Sequence, residues 1–395
     1  MTTPMGTAPA RTPFWFWRDI RVLRVSAQLL FVLVIALIAN WFYTNLQINL
    51  ERTGIRFGFD FLWTTAGFGI SEGMPFEPTD SYGRAFWVGV VNTLRVIGIG
   101  IILATLLGLV AGIARLSSNW LVRQIATVYI ETIRNTPLVV QLFFWYTAIF
   151  LKLPKVDESI VLPGPIYLSQ RGLALPKPYP SESFPLWSYV LVASLLAALI
   201  VYIGRRIYLA RAQRPGFAGL WAGGVFVFIA FGSWLVLPRA PIAWEMPTLG
   251  RFNFEGGWQL SPEFAALLAG LVVYTGAFIA EIVRAGILAV PKGQTEAARA
   301  LGLRPIYVLR LVVIPQAMRV IVPPLTSQYL NLAKNSSLAV AIGYPDLFNV
   351  ANTIINQSGR AIEMVFLIMA SYLTMSLLTS AFMNWYNRRV KLIER

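Results

Sequence analysis

The strongest constraint on the fold is a set of long sequence stretches that contain no charged side chain. Four of these stretches are 19 to 22 residues long, and they cover 96–114, 186–204, 216–237 and 364–385. A helix needs about 20 apolar residues to cross roughly 30 Å of hydrocarbon. Only 13% of all residues are charged, which is about half the share found in soluble domains. The sequence therefore predicts a chain that crosses a membrane several times.

Hydropathy predicts an all-α, polytopic bundle of about eight transmembrane helices. The predicted spans lie near 25–44, 86–114, 136–151, 186–204, 216–237, 264–288, 311–344 and 364–385. The seventh span contains the pair Pro323 and Pro324 and then a polar run at 331–337. We expect a broken helix there, because proline removes a backbone donor. At membrane depth, such a break persists only where protein or a water-filled cavity satisfies the freed backbone groups.

The distribution of basic residues predicts the orientation. With a cytoplasmic N-terminus, the inner segments carry 19 Lys and Arg and the longer outer segments carry ten, whereas most acidic residues fall outside. This bias places both termini in the cytoplasm. The excess of 33 Lys and Arg over 18 Asp and Glu is thus explained by topology, and no nucleic-acid partner is needed.

The absence of two residue types excludes several kinds of chemistry. The chain has no cysteine and no histidine, so it lacks thiolate chemistry, the commonest general base and the usual metal ligands. A Gly-rich nucleotide-binding loop followed by Lys-Ser/Thr is also missing from the sequence. We therefore predict no catalytic residue and no metal site in this chain.

A cytoplasmic loop at 291–305 has the features of a short surface helix. Thr295 can cap the helix, the alanines propagate it, Gly302 can end it, and Pro305 prevents its continuation. Small residues in this loop let the backbone of another protein come close. The residues alone equally allow an ordinary loop helix.

The same loop resembles the EAA signature of the permease subunits of bacterial ATP-binding cassette (ABC) importers. The resemblance rests on Glu296-Ala297-Ala298, on Gly302, and on the following Ile314-Pro315-Gln316-Ala317. It implies that the loop lies in a cleft of a separate ATPase subunit. The implied contact residues are Glu296, Ala297, Ala298, Arg299 and Gly302.

Three further segments resemble the polar amino-acid permeases of that family. They are 129–144, which includes Glu131, Arg134 and Thr136-Pro137-Leu138, then 274–287, and then 334–338, which has Asn335 and Ser336 where the family often has Asp and Thr. The resemblance covers five spans. It divides the chain into an N-terminal tail, first span and outer loop (1–85), a first core part (86–153), an insertion with two spans (154–260) and a second core part with the coupling loop (261–395). This layout is similar to the larger permease of general L-amino-acid systems.

The resemblance also implies the surroundings of the chain. It implies a bacterial inner-membrane location, a homodimeric ATP-binding subunit that holds ATP and Mg, a second homologous permease subunit and a periplasmic amino-acid-binding protein. The substrate would be an L-amino acid, membrane lipid would be a further partner, and no nucleic acid would bind. The chain itself would hold no cofactor.

Charged and polar residues within predicted spans are candidates for substrate contacts, because charge in a span is costly. The seventh span offers donors for a substrate carboxylate, and Glu281 could accept from the substrate ammonium. Glu281 and Arg284 equally allow a structural ion pair, and Arg95 could extend toward an interface. The candidate set comprises Arg95, Glu281, Asn331, Lys334, Asn335, Ser336 and Ser337.

A gradient-driven secondary amino-acid transporter is the alternative. Such transporters also contain broken helices and buried charge. They usually need several buried carboxylates for protons or sodium, whereas the predicted spans offer essentially Glu281 alone. An integral membrane enzyme is less compatible with the sequence.

Overall fold

A computed structural model describes residues 20–53, 57–213, 216–251 and 253–390. It divides the chain into two compact units, Met1–Phe61 and Leu62–Arg395. The predicted segment 1–85 runs across this division. Several residues of the orientation count lie outside the described residues, namely Arg11, Arg18, Arg56, Arg214, Lys391 and Arg395.

The first unit contains one long helix, α1 (Ile20–Thr53). Its portion Val22–Asn49 is long and apolar enough to cross a membrane. The predicted first span at 25–44 falls within this portion.

The second unit is a bundle of apolar helices with shorter helices between them. Its helices are α2 (Tyr82–Ala114), α3 (Trp120–Arg134), α4 (Leu138–Phe143), α5 (Phe184–Arg211), α6 (Ala218–Gly232), α7 (Pro262–Leu288), α8 (Lys292–Ala300), α9 (Pro305–Val308), α10 (Ile314–Asn335), α11 (Leu347–Ser358) and α12 (Ala361–Val390). Across the described residues of both units, seven helical segments are long and apolar enough to cross a membrane. The predicted polytopic helical bundle is confirmed.

The third predicted span, at 136–151, corresponds to a short helical segment. The helix α4 continues through a π-helical turn at Phe144–Ile149 and a 3₁₀ turn at Phe150–Lys152. The whole segment Leu138–Lys152 is therefore about 22 Å long at 1.5 Å per residue. Asn135 is the C-cap of α3, and its side-chain amide donates to the Glu131 carbonyl.

The seventh predicted span is not broken at its proline pair. The helix α10 runs without interruption through Pro323 and Pro324. Its irregular parts lie at its two ends, with a π-helical turn at Leu309–Val313 before it and a 3₁₀ segment at Ser336–Ile342 after it. Each proline removes one backbone donor from the helix, and both prolines lie on an exposed face of α10.

The structure contains elements that the hydropathy pattern did not predict. The hydropathy pattern predicts only a charged inner segment where α3 lies and a loop where α11 lies, because both helices are too short to span a membrane. Asn119 caps α3 by accepting from the Leu121 backbone N–H at 2.9 Å. Asp346 caps α11 in the same way, accepting from Asn349 at 2.9 Å.

The two loops of the 154–260 insertion that precede α5 and follow α6 fold together into small antiparallel sheets. The strands are β1 (Ile160–Leu162), β2 (Ile166–Ser169), β3 (Gly172–Leu175), β4 (Lys177–Pro180), β5 (Ile242–Glu245), β6 (Thr248–Leu249), β7 (Phe254–Glu255) and β8 (Trp258–Leu260). They form a four-stranded sheet in the order β1-β2-β3-β8 and the pairs β4-β5 and β6-β7. The prediction of an all-α fold misses these sheets, because strands of two to four residues leave almost no alternating pattern.

The core of the second unit lies where α2, α7 and α10 pack together. Gly108 and Gly112 of α2 let this helix approach α7 so closely that a Cβ at Gly112 would lie 2.6 Å from the Ala280 carbonyl oxygen. Small residues spaced four apart permit this close packing between membrane helices. Gly286 of α7 performs the same role against Ile321 of α10.

Candidate coupling and substrate sites

The predicted coupling segment forms a helix at the surface. Gly302 ends α8 with a φ of +79°, a left-handed conformation that glycine adopts without strain. The Gly302 N–H donates to the Arg299 carbonyl, and the Leu303 N–H donates to the Ala298 carbonyl, which is the Schellman pattern. Thr295 is not the cap we expected, because α8 begins at Lys292 and the Thr295 hydroxyl donates to the Lys292 carbonyl.

The helix α8 presents one face to its own chain and leaves the other face open. Ala298 is buried in a cluster with Val290 and Val308. The remaining predicted contact residues are exposed, namely Glu296, Ala297, Arg299 and Gly302. Next to them, 82% of Leu301 is accessible to solvent.

A charged network joins three helices close to this loop. Arg115 at the end of α2 lies 2.6 Å from Glu281 on α7 and 2.8 Å from Glu131 on α3. Glu281 also lies 2.6 Å from Arg284. The ion pair that the sequence allowed is therefore present. Both oxygens of Glu281 already accept hydrogen bonds from arginines. These contacts are typical of a residue that holds helices together.

Lys334 and its neighbours occupy two different environments. Asn331 and Lys334 lie on an exposed stripe of α10, together with Ser327. Asn335 is half-buried. The hydroxyls of Ser336 and Ser337 donate to the carbonyls of Ala333 and Lys334, each at 2.8 Å. These two hydroxyls are thus engaged by the helix itself, whereas the α10 stripe is open.

Glu281 and Lys334 are too far apart to hold one amino acid together. Along α2, Gly100 lies against Leu332 of α10, whereas Gly112 lies against Ala280 of α7. These two levels are 12 residues apart, which corresponds to about 18 Å along a helix. The predicted pairing of Lys334 with the substrate carboxylate and Glu281 with its ammonium therefore does not form within this chain.

A second acid lies at the opposite end of the bundle, where α2 begins. We call this end the outer end, following the orientation predicted from charge. Glu72 is only 8% exposed, and both of its carboxylate oxygens lack a hydrogen-bond partner among the described residues. Burial raises the pKa of this carboxyl above its ordinary value, while the neighbouring Ser261 and Arg95 oppose that increase. The hydroxyl and the backbone N–H of Ser261 lie near this carboxylate, but neither meets normal hydrogen-bond geometry with its oxygens, and a buried acceptor in such a state is uncommon.

Arg95 faces this carboxylate without touching it. Its guanidinium lies 5.4 Å from the centre of the Phe264 ring and interacts electrostatically with Glu72. No nitrogen of Arg95 comes within 4.0 Å of a carboxylate oxygen in the described part of the chain. A basic and an acidic group thus stand near each other with a gap between them.

Hydrogen bonds from the Asn92 side chain to two backbone carbonyls position this outer cluster. The Asn92 side-chain amide donates to the Glu72 carbonyl at 3.0 Å and to the Pro345 carbonyl at 2.9 Å. The segment 62–81 is therefore attached to α2 and to the turn before α11. Burial raises the pKa of Asp346 in that turn to about 7, and its role as the α11 N-cap accounts for its presence.

Comparison with known proteins shows the family to which the chain belongs. The sequence profile of the family described as binding-protein-dependent transport system inner membrane component matches residues 218–392. The chain is 43% identical to the general L-amino acid transport system permease protein of Rhizobium johnstonii, and the alignment covers 99% of both chains. The chain belongs to the amino-acid ABC transporter permease family. It is also 40% identical to the glutamate/glutamine/aspartate/asparagine transport system permease protein of Rhodobacter capsulatus, over 95% of this chain and 96% of that protein.

The network around Glu281 gives a testable prediction for this ABC transporter permease. We expect Glu281→Gln to lower the free energy of unfolding by about 1–2 kcal/mol, because hydrogen bonds between charged groups contribute about 1.5–3 kcal/mol and partial exposure reduces that value. Thermal unfolding of the purified protein measures the change. We also expect the relative uptake of cationic and neutral amino acids to be unaltered. An unchanged midpoint with a selective loss of cationic substrates would restore Glu281 as a substrate contact.

The sequence prediction missed Glu72 among the candidate residues of this ABC transporter permease. Glu72 was counted only as one of several acids in an outer loop. A local signal was present, because Gly73 follows Glu72, and glycine allows the close approach of its backbone to Asn92. The burial of the carboxylate depends on contacts between distant segments, and spacing along the chain does not reveal it.

Proposed function

We propose that this chain is the permease subunit of an ABC importer that moves L-amino acids into the cytoplasm. A separate ATPase subunit would hydrolyse ATP with Mg, and a periplasmic binding protein would deliver the substrate. The observation that carries this proposal is the full-length likeness to a general L-amino acid permease. The chain would lie in the inner membrane with both termini in the cytoplasm, in agreement with its basic inner segments.

In this proposal, α8 receives the movement of a homodimeric ATPase. The exposed face of α8 offers Glu296, Ala297, Arg299 and Leu301 to a partner. Only three residues separate the end of α7 at Leu288 from the start of α8. The Arg115–Glu281 ion pair then ties α7 to α2. A displacement of α8 would therefore reach two helices of the bundle core.

The exposed stripe of α10 would face a second, homologous permease subunit. Ser327, Asn331 and Lys334 are polar and lie open along a helix within the membrane. Polar groups at that depth need protein or water beside them. A translocation pathway between two permease subunits would supply both.

The outer cluster of Glu72 and Arg95 would make the first contact with the substrate inside this subunit. A zwitterionic amino acid in the gap could donate from its ammonium to Glu72 and accept at its carboxylate from Arg95. The unpaired oxygens of Glu72 support this arrangement. Because Glu72 is buried, substrate entry requires segment 62–81 to move away from Asn92.

Co-purification tests the proposed complex. The tagged full-length chain, expressed with its neighbouring genes, should retain a P-loop ATPase and a second permease, both identified by mass spectrometry. A transport screen across amino acids then defines the substrates. Recovery of the chain alone, together with uptake that needs no partner protein, would contradict the proposal.

A further inference from the structure

The two inserted helices form a hairpin that stands apart from the bundle. The helix α5 packs along α6, and neither helix makes a comparable contact with any other described helix of the second unit. At the outer end, the Trp187 indole donates to the Ala230 carbonyl at 2.8 Å. Large aliphatic side chains such as Val192 and Leu199 are exposed along α5. Lipid therefore has direct access to the hairpin along most of its length.

Three arginines lie at the inner end of this hairpin. Arg205 follows Phe184, the first residue of α5, by 21 positions, or about 32 Å, which is close to the thickness of the hydrocarbon layer. Arg206 and Arg211 follow within the last two turns of α5. The basic residues therefore lie at one membrane interface, which is the cytoplasmic one in the proposed orientation.

These arginines have no acidic partner among the residues that the structure describes. The sequence contains no Asp or Glu between Glu182 and Glu245, and none of the three arginines forms an ion pair in the described part of the chain. The Arg205 guanidinium lies over the rings of Tyr208 and Trp221, at 5.5 and 5.1 Å from their centres. The rings hold this cation in place without neutralising it. The inner end of the hairpin thus carries positive charge that no described carboxylate neutralises.

A cavity of about 530 Å³ opens beside these charges. Arg206, Tyr202 and Leu209 line it from α5, and the residues Gly216 to Gly219 line it from the start of α6. Phe217 occupies the N-cap position of α6, and its side chain forms no cap hydrogen bond. The first backbone N–H groups of α6 therefore lack an intrahelical acceptor beside the cavity, and such groups favour phosphate.

We propose that the inner end of the α5–α6 hairpin binds the phosphate group of an anionic phospholipid. Arg206 and the first amides of α6 contact the phosphate, and the acyl chains lie against the exposed apolar faces of the hairpin. Leu220, which is exposed on the first turn of α6, continues the apolar surface from the cavity into the membrane. Topology alone explains basic residues at this end, but it requires neither a cavity beside them nor an uncapped helix. This inference does not depend on the transported substrate.

Lipid binding to the full-length chain tests the proposal. The purified protein is titrated with phosphatidylglycerol in a neutral detergent, and the retained lipid is measured by native mass spectrometry. We expect Arg206→Gln to weaken phosphatidylglycerol binding about fivefold and Arg206→Lys to weaken it less. The matched control is Arg388→Gln, which removes one exposed basic residue near the end of α12 and should leave the affinity almost unchanged.

Three outcomes would overturn the assignment. Equal loss in the Arg206 and Arg388 variants would indicate a general attraction to the basic surface. Wild-type affinity in Arg206→Gln would remove the cavity from the binding site. Displacement of phosphatidylglycerol by millimolar inorganic phosphate would identify a site for free phosphate and not for lipid. Thermal unfolding of each variant in phosphatidylcholine establishes that the fold is retained.

Discussion

We expect the Gly302→Val substitution to reduce ATP-driven amino-acid uptake by about tenfold or more. Gly302 ends α8 at a φ of +79°, and a residue with a Cβ pays about 1–2 kcal/mol in that conformation, with a β-branched residue at the upper end. The strain would unwind the last turn of α8 and shift Leu301 away from its present position. Uptake into proteoliposomes and the amount of ATPase retained by the complex measure the effect.

Gly302→Asn is the matched control for this prediction. Asparagine tolerates left-handed backbone better than other non-glycine residues, so this variant should keep most of the uptake and most of the retained ATPase. The Val substitution should also leave the membrane helices folded, since no atom lies within 4 Å of a Cβ at this position. Full uptake by Gly302→Val would show that the geometry of the α8 end does not matter for coupling.

The second large effect concerns the outer end of the bundle. We expect Glu72→Gln to raise the KM for amino-acid uptake about tenfold or more, because the substrate ammonium loses a charge-assisted hydrogen bond that contributes about 1.5–3 kcal/mol. The substitution keeps the size of the buried side chain, so the fold and the retained ATPase should be unchanged. Uptake kinetics with the binding protein in excess measure the KM.

Glu77→Gln is the matched control, because Glu77 belongs to the same segment but is exposed. It removes the same charge and should leave the KM unaltered. An unchanged KM in Glu72→Gln would mean that the carboxyl is protonated throughout transport and serves only to fill space. Equal increases in both variants would point to the charge of the whole segment.

The sequence predicted the membrane helices well, because their length and lack of charge follow from the thickness of the bilayer. The spans of α2 and α7 agree with the predicted ones to within a few residues. The end of α8 at Gly302 was also predictable, since few residues other than glycine end a helix in this way. These features depend on local chemistry alone.

The continuous α10 and the small outer sheets were not predictable on the same basis. Pro323 and Pro324 remove donors from a helix, and whether the helix breaks depends on what surrounds it. The strands of the insertion are stabilised by pairing between two distant loops, such as that of Leu173 with Leu260, which lie 87 residues apart. Local propensity contains no information about such a pairing.

Some properties of the candidate substrate residues follow from local sequence, and others depend on contacts between distant segments. Glu281 and Arg284 are three residues apart, and their ion pair follows from helix geometry. The positions of Glu281 and Lys334 relative to each other depend on how α2, α7 and α10 pack. The burial of Glu72 depends on the attachment of a loop to α2 through Asn92. Tertiary packing alone separates Glu281 from Lys334 and buries Glu72.

The energy source of uptake tests the central claim most directly. The complete complex is reconstituted into proteoliposomes with a labelled amino acid and the binding protein on the outer side, and ATP is supplied on the inner side. Uptake should require hydrolysable ATP and should continue when proton and sodium ionophores remove all ion gradients. Uptake that proceeds without ATP and stops when the ionophores are added would contradict an ABC importer and indicate a gradient-driven transporter.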